Sequence, residues 1–217
     1  MKQTLGQRKQ ADVQARRRYA YHEAGHATIH WMFGESSNIA FIDMQGYYGA
    51  WAFVQARRRN IPATVQCFDQ TDAATRKMTI LQAKQWLIHD LAGYAAQSRV
   101  DHDLGSNWFK VILEESGWEC FDDHDLHRAV CASKALCGNG SHAWRLLRQM
   151  ASWTDEALDH PRLWAVVESL ANRLQTVKTR ISGRRVMSIM DKAWPDAVLP
   201  VMDMGHNWRR RFCAGCN

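Results

Sequence analysis

His22-Glu23-Ala24-Gly25-His26 is the stretch of this chain whose residue types and spacing specify a chemistry. Histidines four apart on a helix lie on one face, about 6 Å apart along the axis, so both imidazoles can grip one tetrahedral Zn²⁺. Glu23 falls about 100° further round the helix, beside such an ion rather than on it. From there its carboxylate can take a proton from water that a catalytic zinc acidifies towards a pKa of roughly 7. A third protein ligand is required. His30 follows His26 by four residues, but a site using all three histidines needs side chains from nearly two turns to converge, so it is set aside. The HExxHxxGxxH extension is absent. Three downstream clusters offer carboxylates or a further histidine: Asp101-His102-Asp103, Glu114-Glu115 and Asp122-Asp123-His124-Asp125. A helix N-terminus favours an ionised carboxylate, which points to the last cluster. Spacing alone leaves the choice open.

The elements that must position these residues are mostly helical. No proline interrupts Ala11 to Phe33, and Gly34 stands where a helix C-terminus favours glycine. Tyr19, His22, His26, Ile29 and Phe33 recur at helical steps and predict one face of this helix. Asn38 to Asp43 and Ala50 to Gln55, rich in β-formers around Gln45-Gly46-Tyr47-Tyr48-Gly49, predict a short antiparallel hairpin. Thr71-Asp72 offers an N-cap for a long helix to about Arg99, with Leu81, Leu87, Ile88, Leu91 and Ala95 as its apolar stripe. A short helix is expected around Trp108 to Glu115, and another from Asp122 or Asp123 to Leu136, closed by Gly138 and Gly140. Helices over 142–158 and 161–178 follow, the second opened by Pro161. Trp164, Val167, Leu170, Leu174 and Val177 form its expected core face. A last helix, Gly183 to Ala193, stops before Pro195. The expected organisation is mainly α, a single helical domain over 12–194 with a small antiparallel β element after the zinc-binding helix. A loose polar arm over 1–11 and a tail over 195–217 flank it.

Composition narrows the function classes. With 217 residues, 46% of them hydrophobic and 23% charged, the chain can bury a core. Its apolar runs fall far short of the roughly 20 residues a membrane helix needs, and no apolar stretch follows the basic N-terminus as in a secretory signal. Six cysteines without such a signal read as reduced thiols, and a cytoplasmic location is expected. Cys120, Cys131 and Cys137, near or on the Asp125 helix, are expected to be buried, and His127 exposed. The net charge of +6 is concentrated in arginine triplets at 16–18, 57–59 and 209–211. Such runs ordinarily form solvated faces, so nucleic-acid binding is not the expected role. No GxxxxGK[ST] occurs, so ATP hydrolysis is not encoded in these residues. His206 with Cys213 and Cys216 supplies less than a full structural zinc site. His89-Asp90 lies mid-helix with no evident partner.

The order of these motifs resembles the zinc protease domain of the FtsH family of ATP-dependent metalloproteases. RYAYHEAGHATIHWMFG, from Arg18, is similar to that family's AYHEAGHA helix, and FIDMQGYYGAWAFVQ to the hairpin that follows it. DLAGYAAQSRV, from Asp90 to Val100, resembles the LGGRAAEEL helix. FDDHDLHRAVCASKAL resembles the downstream helix whose aspartate is the third zinc ligand, which implies Asp125 in that role. The segment from Ala157 through SGRRVMSIMDKAW is similar to the family's terminal helices. The resemblance spans about 16 to 194. It implies a zinc metalloendopeptidase with His22, His26 and Asp125 on Zn²⁺ and Glu23 as the base. Gln97 stands where the family has an acid, and Ala92 replaces a glycine. Membrane helices and an AAA+ ATPase, usual on the family's chains, are absent from these 217 residues. The implied activity is therefore on flexible or unfolded polypeptides, alone or with a separate AAA+ unfoldase. The alternative is a catalytically silent zinc domain serving as adaptor or scaffold.

Overall fold

A computed structural model describes residues 5–34, 39–44, 53–56, 73–101, 104–116, 124–138 and 140–197. Seven helices and a small sheet make up this part of the chain: α1 (Leu5–Met32), β1 (Ile39–Asp43), β2 (Phe53–Ala56), α2 (Ala73–Ser98), α3 (Trp108–Ser116), α4 (His124–Cys137), α5 (Ser141–Leu158), α6 (Pro161–Thr176), β3 (Arg180–Ser182) and α7 (Gly183–Ala193). The mainly α expectation, with a small antiparallel β element after the first helix, holds.

Helix α1 starts at Leu5 rather than near Ala11, so residues 5–11 continue the helix and are not a loose arm. Nothing after Gly6 in that run breaks a helix, and Gln, Lys, Ala and Arg all favour one. Its first half runs beyond the core: Val13 is 67% and Tyr19 42% exposed. Along the face predicted from helical spacing, Tyr19 is exposed, His22 and Phe33 are half-buried, and His26 and Ile29 are buried. Gly34, at φ +72°, ends the helix in a conformation that favours glycine.

Small residues line the crossing of α1 and α2. Ala20, Ala24 and Ala27 on α1 and Ala92, Ala95 and Ala96 on α2 are fully buried. A Cβ at Gly25 would strike the Ala92 carbonyl and come within 2.8 Å of the Ala96 Cβ. The two backbones therefore approach closely enough for side chains of one helix to bond groups of the other. Helix α6 covers another side of α1. Its Leu163, Val166, Val167, Leu170 and Leu174 are fully buried, each burial favourable by roughly 1.5–3 kcal/mol. Trp164 and Val177, expected on this face, lie half-buried at its margin.

The sheet has the order β2-β1-β3, all antiparallel. Ile42 pairs with Val54 on one side and Ile181 on the other, and the register slips between Ile39 and Phe41. The hairpin strands agree with expectation where they are described; the turn at 45–49, residues 50–52 and the caps at Thr71-Asp72 and Asp122-Asp123 lie outside the described residues. Strand β3 was not expected. It joins because Gly183 lets the chain pass directly over the Ile39 carbonyl, where a Cβ would clash. Among the described residues no helix is long and apolar enough to cross a membrane.

Candidate metal centre

Three helices bring His22, His26 and Asp125 together. The two histidines project from α1 where α2 passes closest, and Asp125 stands in the first turn of α4. Asp125 Oδ2 lies 3.1 Å from His22 Nε2 and 3.0 Å from His26 Nε2, and the two Nε2 atoms are 3.0 Å apart. Among the described residues, this is the group of metal-ligating side chains whose donor atoms converge.

The far side of each ring is tied to an acceptor. His22 Nδ1 donates to Gln97 Oε1 at 3.2 Å, and His26 Nδ1 donates to the His89 carbonyl at 2.7 Å. A neutral imidazole carries one N–H, so both Nε2 atoms then turn lone pairs towards each other and towards a carboxylate. Such a cluster repels itself unless a cation lies among the donors. In the metal-free protein a proton takes that part. Burial pulls the His26 pKa down, but Asp125, aided by Glu23 and Asp90, outweighs it and raises the value to about 9. Burial likewise pushes the Asp125 carboxyl up, yet the His26 charge and the hydrogen bonds from both rings hold it well below the usual range.

The surroundings fit a divalent ion equally well. Two imidazole nitrogens and a carboxylate oxygen match the mixed N/O donor sets of zinc. Gly93 keeps a space clear beside them: a Cβ there would lie 2.5 Å from His26 Nε2 and 2.6 Å from His22 Nε2. Tyr94, next along α2, meets His22 edge-on at 4.9 Å between ring centres. Glu23 is 4% exposed, and its charge acts on the His26 ring.

Asp125 is itself anchored. Its Oδ1 accepts from Arg128 Nη2, one turn on in α4, leaving Oδ2 for the histidines. Arg128 also donates to Asp90 Oδ1 through Nη2 at 2.9 Å and Nε at 3.2 Å. Asp90 thus has the partner that sequence could not supply, and it also accepts from His89 Nδ1 at 3.1 Å. Burial raises the Asp90 pKa to about 6, against the pull of Arg128. Burial, with the charges of His30 and His26, keeps His89 well below its usual value and hence neutral.

The other candidates fall elsewhere. His30 is buried, its ring 4.1 Å from that of His89 and 5.3 Å from that of Trp86, outside the converging donors. Asp101 is buried against Arg18 and Gln97. His102, Asp103, Asp122, Asp123, Cys120, His206, Cys213 and Cys216 lie outside the described residues. Two expectations on α4 are corrected. Cys131 is exposed, with His127 Nε2 at 3.5 Å, Cys137 is half-buried, and His127 is half-buried rather than exposed. Cys131 sits on the side of α4 turned away from its buried Leu126, Ala129, Val130 and Ser133, whereas Cys137, at the end of the helix, shares their side and packs partly against the core. Arg128 and Asp90 were missed as site residues. The only local signal was the i, i+3 spacing of Asp125 and Arg128 on α4.

No protein-family model matches the chain, and no curated protein matches it.

Proposed function

We propose that the chain is a zinc-dependent metalloendopeptidase acting on flexible or unfolded polypeptide. The observation that carries this reading is the convergence of His22 Nε2, His26 Nε2 and Asp125 Oδ2 at 3.0–3.1 Å, with both Nδ1 atoms bound outward. The resemblance to the FtsH protease domain supports it through the HEAGH helix and the Asp125 segment. His22, His26 and Asp125 would hold the zinc, which when bound supplies a Lewis acid that polarises a carbonyl and acidifies water. Glu23, one residue on from His22, accepts the proton of the attacking water and returns it to the departing amine. Its burial beside the His26 ring keeps bulk water from competing for that proton. Arg128 takes one Asp125 oxygen and so presents the other to the ligand cluster. An extended substrate pairs with the edge of β2, since backbone hydrogen bonding is tolerant of sequence.

Glu23→Gln tests the reading. The variant should bind zinc as the wild type does and lose cleavage of casein. Retained turnover in that variant rejects Glu23 as the base. Stoichiometric zinc without cleavage by the wild-type protein leaves the adaptor or scaffold role instead.

A further inference from the structure

Gln97 faces His22, where the FtsH resemblance implies an acid. The substitution matters for a chemical reason. His22 can turn its Nε2 lone pair to a metal only while Nδ1 keeps the proton, so the group facing Nδ1 must accept a hydrogen bond. A carboxylate can do nothing else. A carboxamide can accept through oxygen or, turned over, offer an N–H and select the wrong tautomer.

The turned-over state is opposed by a second residue. Gln97 Nε2 donates to Asp101 Oδ2 at 3.4 Å while Oε1 accepts from His22. Asp101 lies one turn beyond Gln97, is 4% exposed, and its Oδ2 also accepts from Arg18 Nε at 3.1 Å. Arg18 stands one turn before His22 on α1, so the contacts close a ring between two helices. Reversing the amide would set an N–H against Nδ1–H and an oxygen against a carboxylate. Both new contacts are repulsive.

From this geometry we infer that Asp101 is a positioning residue of the metal centre: it fixes which end of the Gln97 carboxamide meets His22, and Arg18 holds it in place. Asp101 stands just past the end of α2 and acts through a neutral relay. The inference rests on the metal reading of His22, His26 and Asp125 and adds the group that selects the His22 tautomer.

The test is Zn²⁺ and Co²⁺ affinity of the full chain, measured by competition with a chromophoric chelator, alongside melting of the metal-free protein. Asp101→Asn and Gln97→Met should each weaken binding by roughly 10- to 100-fold, the range for groups that orient a ligand. Their effects should not add in the double variant, because both break one relay. Gln97→Glu placed in the Asp101→Asn background should regain affinity, since the glutamate can only accept. Gln97→Met leaves the Asp101–Arg18 pair in place and decides the question if Asp101→Asn does not fold. Wild-type affinity in Gln97→Met or in a folded Asp101→Asn overturns the relay. So does failure of the glutamate to restore binding with melting unchanged. A wild-type chain that holds neither ion rejects the metal centre itself, and the relay with it.

Discussion

Gly93→Ala probes the centre without removing any candidate ligand. The added methyl would meet His26 Nε2 at 2.5 Å and both Nε2 and Cε1 of His22 at 2.6 Å. Carbon and nitrogen atoms rest near 3.5–4 Å, so the overlap is about 1 Å on both rings at once. Neither ring is free to retreat, because His22 is tied to Gln97 and His26 to the His89 carbonyl. Overpacking of this kind costs about 1–3 kcal/mol. Alanine for glycine inside a helix returns about 1 kcal/mol. The net loss is about 0–2 kcal/mol, which lowers the melting temperature of a chain this size by roughly 0–8 °C. Metal binding responds far more steeply, since donor distances must hold within about 0.2 Å. The variant should therefore fold, and it should lose more than the roughly 100-fold in zinc affinity that bounds changes behind the ligands. Calorimetry gives the first quantity; zinc content after dialysis and chelator competition give the second. A folded Gly93→Ala protein that keeps stoichiometric zinc at wild-type affinity would refute the convergence of the two imidazoles beside this helix.

Two further outcomes follow from the charges around the site. With chelator present, the His26–Asp125 pair should stabilise the fold fully below about pH 6.5 and lose its effect as pH rises through about 9, because the folded pKa lies above the unfolded one; the change is on the order of 3 kcal/mol. Melting of the metal-free protein across that window should fall accordingly, and a flat profile would contradict the pairing. Arg128→Met strips a buried carboxylate of its partner and should destabilise the protein by about 3–5 kcal/mol near neutral pH. The loss should shrink as pH falls towards about 6 and nearly vanish below it, because Asp90 is then protonated even with Arg128 present; a loss in urea unfolding that stays unchanged down to about pH 5 would exclude Asp90 as the stranded charge.

Local rules account for what could be read without coordinates. The His22–His26 spacing, the glycine stop at Gly34 and Pro161 at the start of α6 depend on residues within a turn or two, so they are visible along the chain. Helical periodicity marks a face but not where the core along it ends, so Tyr19 shares a face with the buried His26 and Ile29 yet stands exposed. Strand β3 has three residues, too few to display alternation. The choice among acidic clusters lay beyond any such rule. Asp125 is 103 residues from His22 and 99 from His26, and only its motif resemblance singled it out in advance. The acceptors behind both rings, the clearance at Gly93 and the Arg128–Asp90 tie are relations between α1, α2 and α4. They exist because small side chains let α1 and α2 touch while α4 points its first turn at the crossing, and distance in space, unlike distance along the chain, is set by packing.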